Sequence, residues 1–296
     1  MKNFDDVFKL AREKKQAVAV AVAGADHVLE VACEATQRGL ASMILVGDEA
    51  KIREAAAQRN IDVSKFEIVD EADDLAACRA AVSLIGAGRA NALMKGNVDT
   101  STIMRAVLCR EAGIRIGKKL NHIAVFETPN YHKLFFATDC AVNIAPDFET
   151  KIEIIENTVA AVRNLGIETP KVALLAAKET VDEKMPVTLE YAEIVSLHRS
   201  GERMQNCIVD GPLALDNAVS AKACEIKGIH SRVCGDADIL LCPDIEAGNI
   251  LYKSLSFIAK AKNGGVVVGA KRPIILTSRA DCNESKLISI ALSVLF

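Results

Sequence analysis

Short apolar runs rich in Val, Ile and Ala alternate along the chain with longer segments whose apolar residues recur at helical spacing. In the first part, Ala17–Ala23, Met43–Val46, Phe66–Val69 and Ala92–Met94 predict buried strands. The segments between them, near His27–Arg38, Ala50–Arg59 and Asp73–Ile85, predict amphipathic helices. This βαβα rhythm predicts a parallel sheet with helices on both faces. Near residue 125 the rhythm changes. Ile123–Glu127 and Leu134–Thr138 are separated only by Thr128-Pro-Asn-Tyr-His-Lys133, which predicts two strands joined by a turn. Alternation then resumes with a long helix over about Phe148–Leu165, a strand at Val172–Ala176 and a helix near Leu189–His198. Gly166 and Pro170 stop the long helix. Further strands are expected at Asn206–Val209, Ile239–Cys242, Gly265–Val268 and Pro273–Leu276, with a last helix over Glu284–Leu295. The change of rhythm predicts two domains. The first comprises residues 1–125 completed by 266–296, and the second comprises 126–265.

Composition narrows the class. Half of the 296 residues are hydrophobic, and no low-complexity stretch or internal repeat interrupts them. A formal charge of −3 provides no basic field for nucleic acid, although local cations can hold a small anion. No apolar run approaches a membrane span, and the N-terminus lacks the apolar core of a secretory signal. Nine scattered cysteines without a C-x-x-C pair predict a reducing, cytoplasmic setting, with most thiols acting as small core residues. The five histidines show no metal-binding spacing, so no metal site is expected. The G-x-G-x-x-G, P-loop and G-x-S-x-G strings are all absent.

Four strand-to-helix junctions carry the candidate chemistry. At Ala92-Leu-Met-Lys-Gly-Asn-Val-Asp-Thr-Ser101, Lys95 ends a strand. Gly96 makes the turn, and Asp99, Thr100 or Ser101 caps the next helix. Ligands of open α/β sheets bind beyond such strand ends, so Lys95, Gly96, Thr100 and Ser101 form a candidate phosphate pocket. Asp210-Gly-Pro-Leu213 is a tight turn flanked by acids. At Cys242-Pro-Asp-Ile-Glu-Ala-Gly-Asn-Ile-Leu-Tyr-Lys253, Asp244 stands where a helix cap is needed, and Asp244, Asn249 and Lys253 are candidate substrate-binding residues. The Gly248-Asn249 pair inside that helix predicts a close approach by a ligand or a neighbouring subunit. The fourth junction, Pro273-Ile-Ile-Leu-Thr-Ser-Arg-Ala-Asp281, brings Thr277, Ser278, Arg279 and Asp281 to the start of the last helix. It sets hydroxyls, a guanidinium and a carboxylate beside unpaired helix N–H groups. Cys282 is the one cysteine beside it.

Taken in order, Leu93-Met-Lys-Gly-Asn-Val-Asp-Thr-Ser101, Asp210-Gly-Pro-Leu213, Pro243–Lys253 and Pro273–Asp281 resemble the phosphate acetyl/butyryltransferase family over nearly the whole chain. Met94-Lys-Gly96 and Thr277–Asp281 are closer to the butyryl branch. The resemblance implies two three-layer α/β domains flanking a cleft, in an isocitrate/isopropylmalate dehydrogenase-like fold. It also implies a homodimer or higher homo-oligomer. The implied reaction is reversible acyl transfer between CoA and phosphate through a direct ternary complex, with no cofactor beyond CoA as substrate and no metal. Acyl-CoA, phosphate and acyl phosphate are the implied partners. Ser278 and Arg279 match the family's Ser-Arg pair as oxyanion donor and phosphate ligand. Where the acetyl branch has its catalytic Asp, this chain has Ser285, so the base is either Asp281, which is favoured, or Glu284. Arg105, Arg115 and Lys118 are additional candidate cations. Two rival readings are a metal- and NAD-dependent dehydrogenase of the same fold and a non-catalytic domain that binds acyl-CoA or acyl phosphate.

Overall fold

A computed structural model of the chain describes residues 1–109, 114–276 and 281–296. Along the chain run α1 (Phe4–Lys14), β1 (Ala17–Ala21), α2 (Asp26–Gln37), β2 (Ser42–Gly47), α3 (Glu49–Gln58), β3 (Glu67–Asp70), α4 (Asp74–Gly86), β4 (Ala92–Lys95) and α5 (Thr100–Leu108). Then come β5 (Asn121–Glu127), β6 (Phe135–Thr138), α6 (Phe148–Arg163), β7 (Lys171–Leu175), α7 (Pro186–Ser200) and β8 (Ile208–Leu213). The remainder is α8 (Leu215–Val219), α9 (Ala221–Lys227), β9 (Ile239–Leu241), α10 (Ile245–Lys253), β10 (Lys262–Val268), β11 (Ile274–Ile275) and α11 (Asn283–Ser293).

These elements divide into two compact units, Phe4–Lys118 with Gly264–Phe296 and Met1–Asn3 with Lys119–Asn263. In the first unit the strand order is β3-β2-β1-β4-β11-β10, parallel throughout except that β10 runs antiparallel to β11. Val18 to Ala21 are fully buried, as a central parallel strand requires. Helices α1 and α2 pack on α11, while α4 lies on α5, β1 and β2. The second unit has the order β5-β6-β9-β7-β8, with β5 and β6 antiparallel and the other neighbours parallel.

The expected boundary at residue 125 falls inside β5, which belongs whole to the second unit. Buried Asn121, at the first residue of β5, explains why. It donates to Thr138 Oγ1 (3.0 Å) and Thr158 Oγ1 (3.1 Å) and accepts from Asn157 Nδ2 (3.1 Å), tying the strand to β6 and α6. At the amino-terminal ends of β6, β7 and β9, Asp236 is bonded by His132, Lys133 and Lys171, and Lys133 also pairs with Asp238 at 2.7 Å. Burial opposes ionisation of Asp236. The bonds from Lys133, Lys171 and His132 outweigh it and hold the carboxyl well below the usual carboxylate range.

The expectation of isolated thiols fails at one place. Cys224 and Cys234 form a disulfide. Gly228 ends α9 in the left-handed conformation and turns the chain back. Gly235 then packs so tightly on the start of α9 that a Cβ would lie 2.2 Å from Ala221 N. The returning chain is thereby pressed against the helix that carries Cys224.

Candidate functional site

In the first unit, the carboxyl ends of the adjacent strands β1, β4 and β11 lead into the start of helices or loops, the place where open parallel sheets bind ligands. Lys95 ends β4, half-buried, and its Nζ donates to Val98 O (3.1 Å) and Gly96 O (3.4 Å). Those bonds fold the ammonium over the turn that follows the strand. Gly96 has a packing reason of its own: a Cβ there would lie 2.3 Å from Val22 O and 2.5 Å from Ala21 O. Its N–H donates to Ala21 O, and that of Asn97 to Val22 O. Val22 itself has φ 57°, a left-handed conformation that costs a β-branched residue about 1–2 kcal/mol. The ends of β1 and β4 are therefore locked together by backbone contact at a strained point.

The helix starts at this end of the unit differ by strand. Outer strands β2 and β3 lead to α3 and α4, whose first turns are capped by the side chains of Asp48 and Asp73. The central strands β1, β4 and β11 lead to α2, α5 and α11, whose N-cap residues Ala25, Asp99 and Cys282 make no side-chain cap hydrogen bond. Their first-turn N–H groups lack that protein partner and are suited to an anion. Asp99, not Thr100 or Ser101, is the N-cap of α5, and both hydroxyl residues are exposed on its first turn.

Thr277, Ser278 and Arg279 lie outside the described residues. Asp281 is half-buried just before α11, and the N-cap of that helix is Cys282, so Asp281 is not the cap. The alternative base Glu284 faces Arg38, 3.6 Å from its guanidinium. Cys282 is exposed, and its Sγ lies 3.3 Å from Ser285 Oγ. Arg105 is exposed on α5. Arg115 donates to Leu108 O at 3.4 Å, and Lys118 is exposed.

In the second unit, Asp244 caps α10 by accepting from Ala247 N at 2.8 Å. Asn249 Nδ2 donates to Cys140 O at 3.3 Å. A Cβ at Gly248 would lie 2.2 Å from Asp139 O, so the close approach expected at 248–249 is made by the chain's own backbone. Lys253 Nζ stacks over the rings of Tyr252 (4.9 Å) and Phe257 (5.4 Å) at the far end of α10, away from the capped start. Asp210 lies within reach of Arg199 (3.6 Å) and accepts from Gly211 N (3.0 Å), so the Asp-Gly-Pro segment serves as a turn.

Asp139, which sequence reasoning did not single out, organises this region. Nearly fully buried, it accepts from the N–H groups of His122, Ala141, Val142 and Asn143 and from Asn143 Nδ2. The available signal was an Asp immediately after an apolar strand, followed four residues later by an Asn. The adjacent Cys140 is buried against Cys242. The hydrogen bond between the two thiols, with burial, pushes the Cys140 thiol well above its ordinary value. A thiol so placed is a packing group, not a nucleophile. Among the described residues no cluster of His, Cys, Asp or Glu could hold a metal ion, and no helix is long and apolar enough to cross a membrane.

The family described as phosphate acetyl/butaryl transferase matches residues 3–80 and 75–294. The chain is 44% identical to phosphate butyryltransferase of Clostridium acetobutylicum over 296 residues, which span 100% of this chain and 98% of that protein. It is 40% identical to phosphate acetyltransferase of Thermotoga maritima, covering 99% of each chain. A branched-chain phosphotransacylase from Enterococcus faecalis V583 superposes with a TM-score of 0.85 at 35% identity, covering 95% of this chain and 98% of that one. Matched almost from end to end in both sequence and structure, the chain belongs to the phosphate acetyl- and butyryltransferase family.

Proposed function

We propose that the protein transfers a short acyl group, with butyryl preferred, reversibly between CoA and inorganic phosphate. The observation that carries this reading is the full-length 44% identity to a phosphate butyryltransferase. In the direction of thioester formation, a base accepts the proton of the CoA thiol and the thiolate attacks the acyl-phosphate carbonyl carbon. The new C–S bond forms, the C–O bond to phosphate breaks, and phosphate leaves with that electron pair. Arg279 neutralises the phosphate, Ser278 donates to the developing oxyanion or leaving oxygen, and Asp281 is the base. Lys95 with the first turn of α5, including Thr100 and Ser101, contributes donors to the anionic substrate, as does Thr277. Asp244, Asn249 and Lys253, at the start of α10 and along it, are taken as further substrate-binding residues.

The same reading takes the fold as isocitrate/isopropylmalate dehydrogenase-like, built of two three-layer α/β domains. It takes the protein as a cytoplasmic homodimer or higher oligomer that uses no cofactor beyond CoA as substrate. The test is release of free CoA from acetyl-, propionyl-, butyryl- and isobutyryl-CoA, measured with and without phosphate. Phosphate-dependent release with the highest kcat/KM for butyryl-CoA is expected. Release independent of phosphate would refute the reaction, and an acetyl preference would refute the chain-length assignment. Asp281→Asn is expected to lower kcat by about 100-fold, the usual scale of a lost general base. Full activity in that variant would move the role elsewhere.

A further inference from the structure

One cation in the first unit has no place in the reading above. Lys286 lies in the first helical turns of α11 and is only 5% exposed. Its backbone N–H donates to Cys282 O, and its ammonium has no hydrogen-bond or ion-pair partner among the described residues. The one other lysine covered to this degree among the described residues is paired: Lys151, also 5% exposed, meets Glu190 and Pro146 O at 2.8 and 2.7 Å. A lysine side chain buried to this degree without a partner for its charge is unfavourable, and a cation near a helix N-terminus also opposes the macrodipole. Two penalties at one residue call for an anion that the described residues do not supply.

The sheet register locates this lysine. Ser289 Oγ, one turn further along α11, accepts from Gly265 N at 2.9 Å. Val267 of β10 is opposite Ile274 of β11, and continuing that antiparallel register sets Gly265 opposite Leu276. Ile275 is level with Met94 of β4, so Leu276 is level with Lys95. Ser289 therefore marks the carboxyl end of β11, and Lys286, nearly a turn earlier on the helix, stands beyond it. The N-terminus of α11 at this end is one of the three without a side-chain cap.

We propose that Lys286 binds a phosphate group of the substrates, acting with the uncapped first turn of α11. The ammonium and the helix N–H groups both need a negative partner, and a phosphate dianion satisfies them together. This inference rests on the acyl-transfer reading and is separable from it. If the wild-type protein shows no phosphate-dependent CoA release, that reading fails. If the wild type turns over and Lys286 variants behave like it, only the present inference fails.

The test compares Lys286→Met with Lys286→Arg, and Lys286→Gln serves if the Met variant does not fold. Folding is checked by the thermal transition without ligand. Michaelis constants are measured for inorganic phosphate, butyryl-CoA and butyryl-pantetheine, which lacks the nucleotide phosphates. Losing a charge-assisted bond is expected to raise the affected KM by about tenfold or more. At saturating substrate, kcat should change little, and the Arg variant should recover part of the loss. A rise for phosphate alone assigns the site to the transferred phosphate. A rise for butyryl-CoA but not for butyryl-pantetheine assigns it to the phosphates of CoA. A folded neutral variant with every Michaelis constant unchanged, and with an undiminished phosphate-induced rise in Tm, overturns the proposal.

Discussion

Gly248→Ala isolates the contact that seats α10. In an ordinary helix interior this change stabilises by about 1 kcal/mol, because alanine has the higher helix propensity. Here the added methyl would lie 2.2 Å from Asp139 O and 3.1 Å from both Asp139 C and Cys140 Cα. A comfortable carbon–oxygen contact is about 3.3 Å, so helix and strand end must separate by about 1 Å. The obstacle is backbone, which cannot swing aside as a flexible side chain would. Overpacking of this kind costs about 1–3 kcal/mol, and the rigid neighbour favours the upper end of that range. The separation also stretches the bond from Asn249 to Cys140 O, already 3.3 Å long. The net expectation is a loss of about 2 kcal/mol, or about 4–8 °C in Tm for a unit of this size. Urea and thermal unfolding, followed by far-UV circular dichroism, provide the measurement. Glu246→Ala, at an exposed position of the same helix, reports propensity without the clash. A Gly248→Ala protein as stable as wild type, or more stable, would refute the reasoning, since propensity would then outweigh the contact.

Two further expectations concern the rest of the second unit. Asp236 has a depressed folded-state pKa, so its stabilising contribution is present above the ordinary carboxylate value of about 4 and is lost as pH falls toward the folded value. Asp236→Asn should therefore lower stability at neutral pH and flatten its decline below about pH 4; an unchanged acid limb would contradict this, although solvent screening keeps the effect modest. With Cys224 and Cys234 bonded, seven of the nine cysteines should react with a thiol reagent in denaturant before reduction and all nine after it. Serine at both positions should cost about 2–3 kcal/mol from the loss of a ten-residue cross-link, and nine reactive thiols without reduction would remove the basis for that figure.

The periodic parts of this protein were legible because burial is written into period and length. The runs at Ala17–Ala21 and Ile239–Leu241 are uniformly apolar and become fully buried parallel strands. The turn at 128–133 was equally visible, and it joins the antiparallel pair β5 and β6. Helix α1 was less legible although Phe4, Val7, Phe8 and Ala11 follow the helical period; charged residues between them masked a buried face of a helix that packs on α11. The Cys224–Cys234 bond depends on how a loop returns to α9, which no spacing rule reports. Among site residues, Lys95 and Asp244 were legible as junction residues, and the structure gives each a local bonding role. Gly248 was noticed for the right reason, a close approach, but its partner is the backbone of a segment more than a hundred residues earlier. Lys286 carried no signal, since a lysine in a helix looks solvent-exposed until its burial is known.

The position of β11 has a consequence for how the chain is made. This strand lies between β4 and β10, yet it is translated only after the whole of the second unit, and the α11 that packs on α1 follows it. During synthesis β4 waits with one edge unpaired while the whole of Lys119–Asn263 is translated. The second unit has all its strands before the first can close, so it should be first to acquire protease resistance on a nascent chain. A chain halted before Gly264 would present the bare edge of β4, with the apolar faces of α1 and α2 that α11 normally covers. Such a fragment is a candidate for chaperone capture.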